Sequence, residues 1–188
     1  MASRYYGDWW TIILVLVIIA MGVEIGYLVY QNRQLKAYID DPRKFFSTLK
    51  ETDTVPAITA IDVNGRDASL NYSADAPHTL LLWFSPGCES CHDNVAFWNE
   101  IYRDYHSEKL RYLGLCAGNA DEAKDFITEY GIEFPVVSAM DDRLVETYKG
   151  RVLPQTILIS PGGSILGIWP GVLDLKRKED IVALLQKL

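Results

Sequence analysis

The chain has 188 residues, of which 49% are apolar and 23% charged, and its formal net charge is −7. This composition is typical of a folded protein with room for one ordinary domain and a short appendage, and it excludes a mainly disordered chain. The acidic balance argues against a nucleic-acid partner, which selects a basic surface. Three cysteines are too few for a disulfide scaffold.

Near the N-terminus, residues 9–30 form an apolar run that predicts a transmembrane anchor. Only Thr11 and Glu24 interrupt it, and its length meets the roughly 20 residues that a hydrocarbon core requires. A cleaved signal peptide is the alternative, because Ala20-Met21-Gly22 has cleavage-like spacing. Aromatic residues at both ends of the run favour a retained anchor. Glu24 is interpreted as reaching toward the lipid headgroups.

The anchor divides the chain into four parts. A short tail (1–8) precedes the anchor (9–30), and a helical stalk and linker (31–55) with a kink at Pro42 leads to a folded domain (56–188). More basic residues follow the anchor than precede it, which by the positive-inside rule places the large domain in the cytoplasm. That rule is unreliable for long translocated domains, so the side of the membrane is assigned below from the chemistry of the site.

The folded domain is predicted to alternate strands and helices before a hairpin and a closing helix, which indicates an α/β sandwich with a mixed central sheet. Asn64-Gly65 is a strong turn signal and Gly131 a helix stop. The basic run 176–178 suits a helix start poorly, so the closing helix is expected to begin near Glu179. The predicted strands are 57–63, 68–70, 79–84, 110–115, 134–137, 155–160 and 165–169, and the earlier helices are 91–105, a helix from a cap at Asn119 or Asp121 to Tyr130, and 141–148.

Two cysteines lie where a buried strand passes into a helix. The apolar run 79–84 ends in the break Ser85-Pro86-Gly87, and Cys88 and Cys91 follow directly. Backbone N–H groups at a helix start are unpaired, and the helix dipole favours negative charge there. A thiolate, the nucleophile of disulfide exchange, is stabilised at such a position. The pattern therefore predicts a thiol–disulfide site.

From about Pro56 to Leu188 the chain resembles the membrane-anchored thioredoxin-like proteins, the class that includes TlpA, ResA and related redoxins. The resemblance lies in W-F-S-P-G-C-E-S-C at 83–91, L-P-Q-T-I-L-I at 153–159, the Pro-Gly-Gly turn at 161–163 and Gly171. It implies a thioredoxin-like sandwich with a mixed central sheet, preceded by one N-terminal transmembrane helix. It also implies a thiol–disulfide oxidoreductase that needs no cofactor and no metal.

The resemblance assigns roles to three residues. Cys88, the more exposed, attacks a client disulfide as thiolate, and Cys91, one turn further into the helix, resolves the mixed disulfide. Pro154 is expected to follow a cis peptide bond, to pack beside the two sulfurs and to offer backbone groups to the incoming client. A purely structural turn proline is the alternative for Pro154.

Three residues beside the cysteines are candidates for tuning them. Glu89 should raise the thiolate pKa of the first cysteine, and protonated His92 would lower it. The chain departs from its relatives at Leu82, where thioredoxin has a buried acid, and at Asn94, where anchored relatives often carry a carboxyl group. His92 and Asp93 are therefore the candidate proton acceptors for the second cysteine, with plain solvent-facing residues as the alternative.

The implied partners are client proteins with cysteine pairs, a membrane-bound electron donor or acceptor, and the bilayer itself through residues 9–30. Candidate clients by resemblance are apocytochromes, in cytochrome c maturation, copper-site proteins and other secreted thiols. The resemblance places the catalytic domain on the periplasmic or extracellular side, against the charge count.

A haem-binding interpretation stays open, because Cys88, Cys91 and His92 also spell C-x-x-C-H, the attachment signature of c-type haem. Both thiols would then bind the haem vinyl groups, and His92 would ligate the iron. Met140 is the midchain methionine available as a sixth ligand. The strand-like run before the motif and the placement of Pro154 favour disulfide exchange.

A thiol peroxidase of the peroxiredoxin type is the other alternative. Ser85 fits its pattern loosely, but Leu81 stands where that group has proline. Zinc is disfavoured, because only a third cysteine and three histidines are available to complete a site. Cys116, at a strand end, is interpreted as a small buried apolar residue, with a second redox role as the alternative.

Overall fold

The computed structural model describes residues 4–40, 49–138 and 142–188. The predicted kink at Pro42, the candidate haem ligand Met140 and the predicted helix start at Asp141 lie outside these residues. The chain divides into two compact units, residues 1–45 and 46–188.

The first unit contains one long helix, α1 (Arg4–Asp40). Its segment Trp9–Lys36 contains an 18-residue stretch with a mean hydropathy of 2.7, so it is long and apolar enough to cross a membrane by length and composition. The described side chains of this segment are exposed. The expected N-terminal apolar helix is therefore present, and it is consistent with single-pass anchoring.

In the described part of the second unit, six strands form one mixed sheet in the order β1-β4-β3-β2-β5-β6. Strand β2 lies parallel to β3 and β3 parallel to β4, whereas the pairs β2–β5, β5–β6 and β1–β4 are antiparallel. This mixed sheet confirms the predicted α/β sandwich. The elements are β1 Ile61–Asp62, β2 His78–Phe84, α2 Glu89–Tyr105, β3 Leu110–Cys116, α3 Ala120–Tyr130, β4 Val136–Ser138, α4 Asp142–Thr147, β5 Gln155–Ile159, β6 Ile165–Pro170 and α5 Leu175–Leu185.

Strand β2 is buried on both faces, which explains its continuous apolar sequence. Because side chains alternate along a strand, Leu80, Leu82 and Phe84 pack in the cluster that contains residues of α2, α3 and α5. Leu81 and Trp83 belong to the cluster on the opposite face. The strand that leads to the cysteines is thus held in the middle of the domain.

The first hairpin is less regular than predicted. Only Ile61–Asp62 forms a strand, while Ile58 and Leu70 make an isolated bridge. The Asp62 carboxylate accepts from the backbone N–H groups of Asn64 and Arg66. A side chain that takes up backbone donors in this way competes with ladder pairing, so the strand stops early.

The predicted start of the closing helix near Glu179 is wrong, because α5 begins at Leu175. Asp174 caps it by accepting from the Arg177 N–H. The Arg177 guanidinium turns back to donate to the carbonyls of Pro170 and Val172, at 3.0 and 3.1 Å. Its charge is thereby paired with carbonyl oxygens, which offsets the unfavourable placement of a cation in the first turn.

Candidate active site

Cys88 and Cys91 form a disulfide at the junction of β2 and α2, with their Cα atoms 5.3 Å apart. After Phe84 the chain turns, and the Cys88 N–H donates to the carbonyl of Ser85. Cys88 is the N-cap residue of α2 and is partly exposed, whereas Cys91 is fully buried. One sulfur atom is therefore accessible to a partner, and the other is shielded behind it.

The start of α2 favours negative charge at Cys88. No side chain of the described domain caps this helix end, and the N–H groups of Cys88 and Cys91 donate instead to the backbone carbonyls of Ser85 and Cys88. The Ser90 hydroxyl lies 3.4 Å from the Cys88 sulfur, within hydrogen-bond distance. Glu89, in the same first turn, is exposed. The helix dipole and the Ser90 hydroxyl would stabilise a Cys88 thiolate once the disulfide is reduced, whereas the Glu89 carboxylate opposes it.

Pro154 lies at the same end of the sheet as the disulfide. Strands β2 and β5 are antiparallel neighbours with Trp83 opposite Gln155, so the end of β2 and the start of β5 lie side by side. Pro154, which directly precedes β5, is buried and follows a cis peptide bond. Two segments distant in sequence are thus brought together by strand pairing.

His92 is directed toward α3. Its ring is half-buried and stacks on Tyr130, with centroids 4.1 Å apart, and it lies 5.4 Å from the ring of Phe126. Its Nε2 atom is buried and has no hydrogen-bond partner among the described residues. Asp93 is exposed on the next position of the helix. His92 therefore joins α2 to α3 through ring contacts, while Asp93 faces solvent.

Two buried polar side chains of α2 were missed as site residues. Asn94 is fully buried and hydrogen-bonds the backbone of the turn after β6. Trp98 donates its indole N–H to the hydroxyl of Thr156, two residues after Pro154. The sequence signal was a polar atom on the apolar stripe of the helix, but the partners of both residues lie far away along the chain.

Cys116 is a free thiol at the end of β3 and is fully buried. Burial is the main cause that raises its pKa to about 12, and the nearby charge of Glu122 acts in the same direction. Its thiol stays protonated at physiological pH, as expected for a small packing residue.

A thioredoxin-like sheet with a C-x-x-C disulfide at the start of the following helix defines a thiol–disulfide oxidoreductase. Residues 52–168, more than half of the chain, match the AhpC/TSA family, and the chain belongs to that family. The thiol-disulfide oxidoreductase ResA of Bacillus subtilis is 23% identical over 175 residues, covering 93% of this chain and 90% of ResA.

Solved structures agree with the fold. The thioredoxin domain of a thiol-disulfide oxidoreductase from Bacteroides vulgatus superposes with a TM-score of 0.62 at 23% identity, covering 73% of this chain and 98% of that domain. StoA from Bacillus subtilis has a TM-score of 0.56 at 20% identity, covering 68% of this chain and 98% of StoA. The predicted thioredoxin-like fold and thiol–disulfide oxidoreductase class are confirmed.

Proposed function

We propose that the protein is a membrane-anchored enzyme that exchanges its Cys88–Cys91 disulfide or dithiol with cysteine pairs of client proteins. One observation carries the proposal: the two sulfurs are bonded at a helix start, one partly exposed and the other buried. That asymmetry separates an attacking sulfur from a resolving one.

As a reductase, the enzyme begins with both thiols reduced. The Cys88 thiolate attacks one client sulfur, which breaks the client disulfide, forms a mixed disulfide and releases the other client sulfur as a thiolate that takes up a proton. Cys91 then loses its proton and attacks the Cys88 sulfur, so that the enzyme disulfide forms and the second client thiolate leaves. Two electrons pass from enzyme to client, and the reverse sequence oxidises a client dithiol.

Pro154 is assigned to the client-facing side of this site, because strand pairing places it at the same sheet end as the disulfide. Pro154 has no N–H group, and its carbonyl accepts from the Gly171 N–H at 2.7 Å. Glu89 and Asp93, both exposed, and His92, which packs on α3, are the tuning residues we assign.

We place residues 9–30 in the membrane and the domain of residues 56–188 on the extracytoplasmic side. The likeness to ResA supports this side, and disulfides of client proteins persist in oxidising compartments, whereas cytosolic thiols are kept reduced. A membrane-bound electron donor or acceptor completes the cycle. The ResA likeness supports secreted or exported cysteine-containing proteins as clients, and cytochrome c maturation is one process that presents such cysteines.

The alternatives fit the geometry less well. A c-type haem needs both sulfurs for its thioether bonds, yet here they bond each other, and the His92 Nε2 atom is buried rather than presented to an iron. For a thiol peroxidase, the Ser85 hydroxyl would serve the cysteine, but it donates to the carbonyl of Ala117. Disulfide exchange requires neither rearrangement.

The test has two measurements on the full chain in detergent. The first is the midpoint potential of the Cys88–Cys91 pair in the wild type, and the second is the disulfide-exchange activity of Cys88→Ser, Cys91→Ser and Cys116→Ser. We expect Cys88→Ser to abolish exchange, Cys91→Ser to accumulate a mixed disulfide, and Cys116→Ser to behave as wild type. A potential well below the glutathione range of about −220 to −260 mV indicates a reductant, and one near −120 mV an oxidant.

Unchanged exchange in Cys88→Ser would refute the proposal, and a Soret band in the purified protein would favour haem instead. The side of the membrane is tested with a membrane-impermeant thiol reagent on intact cells after reduction. Cys91→Ser leaves Cys88 as the accessible thiol, and its labelling is expected if the domain is extracytoplasmic. Labelling that requires cell lysis would place the domain in the cytoplasm.

A further inference from the structure

Asn94 uses both ends of its amide on one turn of the chain. Its Nδ2 donates to the carbonyl of Gly171 across 3.2 Å, and its Oδ1 accepts from the backbone N–H of Leu173 at 2.9 Å. Asn94 is fully buried, so no water competes for these groups. It lies three residues after Cys91, close to one helical turn, and therefore on the same side of α2.

The same turn is tied to Pro154. The Gly171 N–H donates to the Pro154 carbonyl across 2.7 Å. Gly171 has φ +85°, a conformation that side-chain-bearing residues rarely adopt. Arg177 donates to the carbonyls on either side of Gly171, those of Pro170 and Val172. Consequently the backbone of this turn is fixed from both α2 and α5, while the Val172 side chain is 42% exposed.

We propose that Asn94 is a positioning residue that sets Pro154 and the Gly171–Leu173 turn against the Cys88–Cys91 pair, so that the turn forms one wall of the client-binding surface. The connection consists of two hydrogen bonds in series, from Asn94 to Gly171 and from Gly171 to Pro154. The inference rests on the proposed exchange of disulfides with client proteins, and it adds the part of the molecule that holds the client-facing segments in place.

The chemistry of the site requires an amide. One end must donate and the other must accept, which asparagine does and aspartate cannot, because an ionised carboxylate only accepts. An aspartate here would direct a buried negative oxygen at the Gly171 carbonyl oxygen, and both repulsion and desolvation oppose that arrangement. An amide also takes up no proton at physiological pH, so Asn94 acts by holding the turn and not by accepting the Cys91 proton.

The helix carries its own matched control. Asn99 donates to the carbonyl of Gly131 at 2.8 Å and accepts from the Glu133 N–H at 3.1 Å. It is likewise buried on α2 and likewise spans a turn of three residues, but that turn follows α3 and contains no site residue. A change at Asn99 removes the same kinds of hydrogen bonds from the same helix without touching the Pro154 segment.

The experiment compares Asn94→Ala, Asn94→Asp, Asn99→Ala and Asn99→Asp in the reduced full chain in detergent. Each variant reduces two substrates, a peptide with one intrachain disulfide and bis(2-hydroxyethyl) disulfide, a small linear disulfide. The peptide must lie along the client-binding surface, whereas the small disulfide needs only an accessible Cys88 sulfur. Thermal unfolding of each variant measures the loss of stability separately.

We expect Asn94→Ala and Asn94→Asp to lower kcat/KM for the peptide about tenfold, mainly by raising KM. A tenfold change corresponds to the net free energy of about one hydrogen bond. The rates of both variants with bis(2-hydroxyethyl) disulfide should stay within about twofold of wild type. The Asn99 variants should lose comparable stability and keep both activities.

Equal losses in the Asn94 and Asn99 variants would overturn the positioning role, as would a loss shared equally by both substrates. A faster reaction of Asn94→Asp with the peptide would also overturn the positioning role, because it would show that a proton acceptor is needed at this position. If Asn94→Ala does not fold, Asn94→Asp, which keeps the shape and one acceptor, decides the matter. A wild-type chain that reduces neither disulfide in its reduced form and oxidises no peptide dithiol in its oxidised form would refute the proposed function itself, an outcome distinct from all of these.

Discussion

Replacing Thr156 with valine is expected to destabilise the oxidised domain by about 1–3 kcal/mol, because it leaves the Trp98 indole N–H buried without an acceptor. In the native domain that N–H donates to the Thr156 hydroxyl across 3.0 Å, and both side chains are fully buried. Trp98 belongs to the helix that carries both cysteines, and Thr156 to the strand that begins after Pro154. This hydrogen bond therefore joins the two halves of the site.

A double-mutant cycle isolates this interaction. Trp98→Phe removes the donor and also leaves space in the core, so its single cost is larger than the hydrogen bond alone. In the double variant with Thr156→Val neither polar group is left unpaired. We expect a coupling free energy of about 0.5–3 kcal/mol between the two changes, the range measured for contacting residues. Thr156→Ser keeps the hydroxyl and loses about one methyl group, a cost of roughly 0.8 kcal/mol.

The assay is urea unfolding of the oxidised full chain in detergent, followed by near-ultraviolet circular dichroism. The slope of the unfolding free energy with urea must stay constant across the variants for the free energies to be comparable. Strict additivity, with a coupling below about 0.5 kcal/mol, would contradict the reasoning. So would a Thr156→Val variant that is as stable as the wild type.

Three further predictions concern stability, each measured by chemical unfolding of the oxidised chain. Asn119→Ala should cost about 1 kcal/mol, because the side chain accepts from two N–H groups at the start of α3, and a value near zero would contradict the cap. Gly150→Ala should cost about 1–3 kcal/mol, since its Cβ would lie 2.5 Å from the Trp83 ring; Gly87→Ala, with open space around it, is the control. Burial raises the Cys116 pKa from 9.0 to about 12. Between these pH values the thiol ionises in the unfolded chain but not in the folded one, so the free energy of unfolding should fall as pH rises from 9.0 to about 12. Cys116→Ala should flatten this decline, and an unchanged slope would refute the assignment.

Features set by neighbouring residues could be predicted from the sequence. The helix α3 begins after the cap Asn119, which forms a capping box with Glu122, and ends at Gly131, whose φ is +62°. These signals are local chemistry and need no knowledge of the fold. The position of the cysteines at a strand-to-helix junction followed in the same way from a buried run, a Pro-Gly break and helical spacing.

Features that depend on distant partners could not be predicted. Asn94 finds its partners 77 and 79 residues away, and Trp98 finds Thr156 at a separation of 58. In the sequence, each of these residues places a polar group on the apolar face of α2, and no neighbouring residue identifies its hydrogen-bond partner. The start of α5 was predicted wrongly for a different reason, because the Arg177 charge is paired with carbonyls only five and seven residues before it, which the basic run alone does not reveal. The sequence marks His92 as a candidate tuning residue, but it does not reveal the stacking of its ring on Tyr130. That contact depends on the crossover that places α3 beside α2.

The two outer strands of the sheet determine how readily the domain pairs with other chains. Strand β1 is only two residues long, and β6 ends at Pro170 and pairs with β5 through a register shift at Leu158 and Ile159. Open strand edges invite neighbouring chains to add on, while brevity, proline and irregular pairing discourage it. Copies of this domain should therefore stay separate at high local concentration, as the proposed membrane anchor would impose, and an extended client should not add to the sheet as a further strand.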